Sequence, residues 1–129
     1  MKYGDVIRAY RAIGELKALK LPFRKARAVY EAAKQLETEY AFYAEQERIE
    51  VNEYAQKGAD GKPIITGSRI TFASGDDARD YAAAIHTLNE TEVQADIKRV
   101  TLSDYDIADG SITAEAIDAL TVAGIVVFE

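Results

Sequence analysis

The chain has 129 residues, 48% of them hydrophobic and 29% charged, which is the composition of one ordinary globular domain rather than of a disordered chain. Cysteine is absent and histidine occurs once, so disulfides, thiolate zinc sites and cysteine nucleophiles are excluded together. The net charge of −6 conceals an asymmetry: residues 1–34 carry nine Lys/Arg against three Asp/Glu, and residues 35–129 carry seven against nineteen. A basic end attracts an acidic partner, whereas an acidic body repels phosphate, so extended duplex binding is not expected.

The N-terminal "MKYGDVIRAY" has no apolar signal region, and no stretch approaches 18 consecutive apolar residues, so neither standard secretion nor a membrane span is expected. In residues 5–18, Val6, Ile7, Tyr10, Ile13 and Leu16 fall at helical spacing and predict a short amphipathic helix weakened slightly by Gly14. "LKLP" interrupts it, because the residue before Pro22 is biased away from helix and proline suits the first turn of the next one. From Pro22 the positions Ala26, Val29, Ala33, Leu36, Tyr40 and Tyr43 alternate spacings of three and four. With no breaker before Gly58, this predicts a helix of about 35 residues, near 50 Å long. Ala26, Ala33 and Ala44 would permit close approach of the first helix, folded back as an antiparallel hairpin, with Tyr40 and Tyr43 filling its wider end. The seven-residue spacing breaks at Glu47 and Glu50, against a free-standing coiled coil.

"GADGKPI" reads as a turn, with Gly58 ending the helix in the left-handed conformation and Asp60-Gly61 reversing the chain. "IITGSRITF" is the first strand candidate. "SGDDARDYAAAIHTLNE" predicts a helix capped by Ser74 with Asp77 three residues on, and its stripe is Ala78, Tyr81, Ala82, Ile85 and Leu88. "VQADIKRVTL" alternates through Val93, Ala95 and Ile97 as a strand with a bulge near Lys98-Arg99. A short helix capped by Thr113 follows, and the apolar "IVVFE" predicts a strand covered on both faces. The expected fold is α+β in a single domain spanning residues 1–129. A helical hairpin over residues 1–57 precedes a part of about three strands and two short helices over residues 64–129.

The residues that could do chemistry are few. His86 is the one possible imidazole base, and its place beside the apolar stripe suggests a structural or exposed role. "GADGK" lacks the spacing and following hydroxyl of a phosphate loop, and "DYDIADG" puts Tyr105 and Ile107 where a calcium loop needs ligands. Asp76, Asp77 and Asp80 sit at a helix start, and Asp104, Asp106 and Asp109 in a loop. Dipole compensation and solvation explain both clusters more simply than a metal or an acid/base pair, although a small hydrolase built on the second remains an alternative. No cofactor and no catalytic residue is expected.

The order "LKLPFRKARAVYEAAKQLETEY", "EQERIEVNEY", "DGKPI", then "LNETEVQADIKRVTLSD", "SITAEAIDAL" and "IVVFE" resembles a diffuse group of small proteins from tailed phages and prophages. The similarity covers most of the chain and includes no catalytic signature. It implies a phage-encoded, non-enzymatic accessory protein acting in the bacterial host cytoplasm or within the virion. Its partners would be other phage proteins, in virion morphogenesis, or a host protein. In the second case it would inhibit a defence or nucleic-acid enzyme through an acidic surface. Two surfaces are the expected partner-binding sites: a basic corner of Lys17, Lys20, Arg24, Lys25 and Arg27, and an acidic face of Glu39, Glu45, Glu47, Glu50 and Glu53. Direct nucleic-acid binding is not expected, and the long helix leaves room for a homo-oligomer.

Overall fold

A computed structural model describes residues 1–108 and 112–129. The elements in chain order are α1 (Tyr3–Lys17), α2 (Phe23–Tyr54), β1 (Ile65–Thr66), β2 (Arg69–Ile70), α3 (Gly75–Glu90), β3 (Val100–Leu102), α4 (Ala114–Val122) and β4 (Val126–Phe128). The fold is α+β, with an N-terminal helical pair followed by short strands and two further helices.

In α1, Tyr3, Val6, Ala9, Ile13 and Leu16 recur every three or four residues and form its buried face. The Asp5 carboxylate accepts from the Lys2 backbone N–H at 3.1 Å and so satisfies one of the free donors at the helix start. Pro22 stands immediately before α2, with the φ of −54° that its ring imposes. Leu36 and Ala32 of α2 are fully buried. Close approach of the pair depends on Ala9 and Ala12 of α1 and Ala32 and Ala33 of α2, all buried. Of the three alanines expected there, only Ala33 contributes; Ala26 and Ala44 are exposed, because 100° per residue carries them off the α1 side. Tyr43 is buried, and the Tyr40 ring stacks on Tyr10 with centroids 4.4 Å apart, closing the wider end of the hairpin.

Helix α2 runs 32 residues, about 48 Å, and ends at Tyr54 rather than at Gly58. The earlier stop has a backbone cause. Gln56 donates its N–H to Thr71 and accepts from Ile64, which pulls the chain into an extended path that a continuing helix could not share. Gly58 is not in the left-handed region. Gly61 is, with φ +77°, and the reversal around it closes with the Gly58 N–H donating to Lys62 O at 2.9 Å. The first strand candidate is two strands. β1 and β2 form a tight antiparallel hairpin with Thr66 opposite Arg69, and Gly67 takes the positive φ of 63° that a two-residue turn requires.

Helix α3 starts where expected, Ser74 Oγ accepting from the Asp77 N–H at 3.2 Å. It buries no residue completely, and Ala82 is exposed while Ala84 is half-buried in its place. It packs against α2 and α1, and the chain leaving it pairs with the N-terminus: Tyr3 N–H donates to Thr91 O and Val93 N–H to Met1 O.

The strand expected from Val93 does not form, and β3 begins only at Val100. The side chain of Gln35 on α2 explains why. Its amide nitrogen donates to Asp96 O at 3.1 Å and its amide oxygen accepts from the Lys98 N–H at 2.7 Å, so this stretch pairs with a side chain instead of a strand. β3 and β4 run parallel, Val100 opposite Val126 and Leu102 opposite Phe128, joined through α4. The four strands therefore form two separate pairs rather than one three-stranded sheet. Val100, Leu102, Ile125 and Val126 join α1, α2 and α4 in the core. Val127 is 45% exposed and Phe128 36%, so the last strand is covered on one face and not on both.

Candidate functional site

Turning the N-terminal helical pair gathers the cations of the first third at one end. Lys17 closes α1, Lys20 lies in the connection, and Arg24, Lys25 and Arg27 occupy the first turns of α2. Four of these five are exposed; Lys25 is committed within the chain. Its ammonium donates to Asp106 at 2.5 Å, and the same carboxylate accepts from the Ser103 N–H at 2.7 Å and the Ser103 hydroxyl at 3.1 Å. Asp106 is nearly covered, its side chain 8% exposed. The Lys25 ammonium and then the Ser103 N–H hold its carboxyl below the usual range. One expected surface cation is thus a clamp between α2 and the loop after β3.

The surface gains residues that the sequence reading did not include. Because Gln35 draws residues 96–98 against α2, Lys98 and Arg99 stand across from Arg27 and Lys34 and enclose an open groove of about 790 Å³. Tyr30 lines it between two cations, Arg27 at 5.7 Å and Lys34 at 5.4 Å from the ring centroid. Arg27 also donates to Glu31 at 3.2 Å. Beyond it a second groove continues past Lys98 and Arg99 to Phe23, which is 85% exposed. In the sequence Lys98-Arg99 has the form of a strand bulge, and nothing local places it opposite α2. The Tyr30–Lys34 spacing on a helix was the one legible signal.

The five acidic residues divide. Glu39 turns inward and accepts from the Tyr3 hydroxyl at 2.7 Å. Burial, with Glu39 second, pushes that phenol up to about 12. Glu47 and Glu50 lie on the α3 side, where their charges add to the effect of burial in raising the Tyr81 phenol above its ordinary value. Glu45 and Glu53 point outward. Glu45 pairs bidentately with Arg48, at 2.5 and 3.1 Å. That contact, led by the hydrogen bond, lowers the glutamate and raises the guanidinium. Beside them Phe42 and Ile49 are 49% and 45% exposed.

Along α2, residues 23–34 therefore hold Arg24, Lys25, Arg27 and Lys34 against Glu31, while residues 35–54 hold six glutamates against Arg48. Charge of opposite sign is separated along one 48 Å rod, about half of whose circumference faces solvent.

The aspartate clusters have structural neighbours. Asp76 pairs with Arg79 at 3.0 Å at the start of α3, and Asp106 serves the loop clamp, while Asp109 lies outside the described residues. His86 is exposed on α3. Among the described residues no three His, Asp or Glu side chains converge as a metal site, and no helix is long and apolar enough to cross a membrane. The chain matches no family model, and no curated protein or solved structure shows significant similarity to it.

Proposed function

We propose that this protein is a non-enzymatic docking protein that works by protein–protein contact through the charged, solvent-facing side of α2. The setting is that of a phage-encoded accessory protein engaged in virion morphogenesis or carried in the particle, acting in the bacterial host cytoplasm. The phage setting is supported by the resemblance of the sequence. The docking role is supported by one observation: exposed cations from α1, α2 and the 96–99 segment surround Tyr30 at one end of the helix, and unburied apolar side chains accompany the glutamates at the other. Exposed aromatics beside arginines are the residue types that anchor protein interfaces. The division of the glutamates between two faces of α2, with Arg48 among the outward ones, makes a continuous phosphate-like surface less favourable and places inhibition of a nucleic-acid enzyme second.

The test is a tagged pull-down with quantitative mass spectrometry from lysates with and without an active phage or prophage. Beside it runs a variant carrying Lys20→Glu, Arg24→Glu and Arg99→Glu, three exposed positions outside the Lys25–Asp106 clamp. Phage structural proteins enriched by the wild type and lost with the variant or with added salt support the reading. A host enzyme enriched in both lysates supports the inhibitor instead. Equal recovery by wild type and variant refutes the proposed surface.

A further inference from the structure

The solvent face of α2 complements itself. Tyr30, Lys34, Thr38 and Phe42 form one i, i+4 ridge on that face, and Ala41, Glu45, Ile49 and Glu53 form the adjacent one. If a second α2 is laid antiparallel, with a two-fold axis between Thr38 and Ala41, positions equally far from the axis meet. Lys34 then faces Glu45 of the second copy, while Tyr30 and Ile49 flank the seam on opposite sides. Glu31 faces Arg48, and Arg27 comes beside Glu53. Each of these charge pairs is of opposite sign, Glu37 meets the Phe42 ring, and the small Thr38 and Ala41 sit where the axes must approach to 8–10 Å.

From this geometry we infer that the partner of the α2 face is a second copy of this chain, in an antiparallel two-fold dimer centred on Thr38 and Ala41. The inference rests on the docking reading above and names the occupant of the same surface. Three observations favour a copy over another ligand. Among the described residues, four of the nine large apolar side chains left exposed, Phe23, Tyr30, Phe42 and Ile49, lie on this one helix. The Arg27–Glu31 and Glu45–Arg48 pairs, already formed within the chain, would meet as a four-charge network across the seam, and such arrays couple more strongly than isolated pairs. A polyanion along the same face would gain at residues 27–34 and be repelled over residues 45–53, where a copy gains at both ends.

The experiment is sedimentation velocity on the full chain up to about 100 µM, with Lys34→Glu, Glu45→Lys, an equimolar mixture of the two, and the double variant. The wild type should dimerise. Each single variant places two like-charged contacts in its own dimer and should weaken self-association by about tenfold or more. The mixture should form a heterodimer in which both contacts are again of opposite sign, and the double variant should recover the homodimer. Circular dichroism matching the wild type confirms that these exposed positions leave the fold intact. A wild type that stays monomeric, or a dimer whose affinity ignores both single variants, overturns the inference. The docking reading is separable from it: a monomeric chain that still captures a partner in the pull-down refutes self-pairing alone, and a charge-dependent dimer that captures nothing else leaves self-pairing as the whole of the docking function.

Discussion

Replacing Asp106 by asparagine tests the clamp that takes Lys25 out of the expected surface. Asp106 accepts three hydrogen bonds, from Lys25 Nζ, Ser103 N–H and Ser103 Oγ, at 2.5, 2.7 and 3.1 Å. Asparagine keeps one oxygen for the Ser103 N–H but loses the charge, so charge-assisted bonds worth about 1.5–3 kcal/mol fall to neutral ones of about 0.5–1.5. Lys25 is about a third exposed, and solvent screening places the loss at the low end, about 1–2 kcal/mol. For 129 residues the unfolding entropy near the midpoint is about 0.27 kcal/mol per degree, so Tm should fall by about 4–7 °C at pH 7. The pH dependence distinguishes a carboxylate clamp from simple packing. The folded Asp106 carboxyl is lowered below its unfolded value of about 3.9, so its contribution is complete above pH 5 and disappears as pH falls through the folded value. The Tm difference between wild type and Asp106→Asn should therefore shrink as pH drops from about 5 toward 2. Lys25→Met should show the same trend. A Tm difference that stays constant across that range would refute the ion-pair account.

Truncation of Leu36, fully buried in the core, should cost about 2–5 kcal/mol in urea unfolding, whereas Ala44→Ser on the exposed side should stay within about 0.5. Gly14→Ala should raise stability by about 0.7–1 kcal/mol, since an added methyl meets nothing within 4 Å on an exposed helical position; Gly61→Ala, at φ +77°, should lower it. Spectrophotometric titration should find a tyrosine ionising at about 12, absent in Tyr3→Phe, which should also lose about 1 kcal/mol with its bond to Glu39.

The two N-terminal helices were legible because each carries its own apolar period and a single proline separates them. Ser74 and Thr113 were legible as caps for a similar reason, since capping is settled within four residues. The strands were not. Whether an alternating stretch becomes a strand depends on a backbone partner elsewhere, and residues 96–98 found the Gln35 side chain instead. The exposed outer face of the final strand has the same origin, because an apolar run does not reveal whether one or both of its faces will be covered, and Val127 is left 45% exposed.

Local order thus determined the helical hairpin, the long rod and the separation of charge along it, all properties of residues near one another in the chain. Which charges remain free was a tertiary decision. Lys25 was taken by Asp106, 81 residues on, and Glu39 by Tyr3, while Lys98 and Arg99 were delivered to the groove by Gln35, 63 residues before Lys98. The physical reason is reach: a helix fixes the angle at which each side chain leaves it, but a hydrogen bond or ion pair needs a partner within about 3 Å, and only the closed fold supplies one.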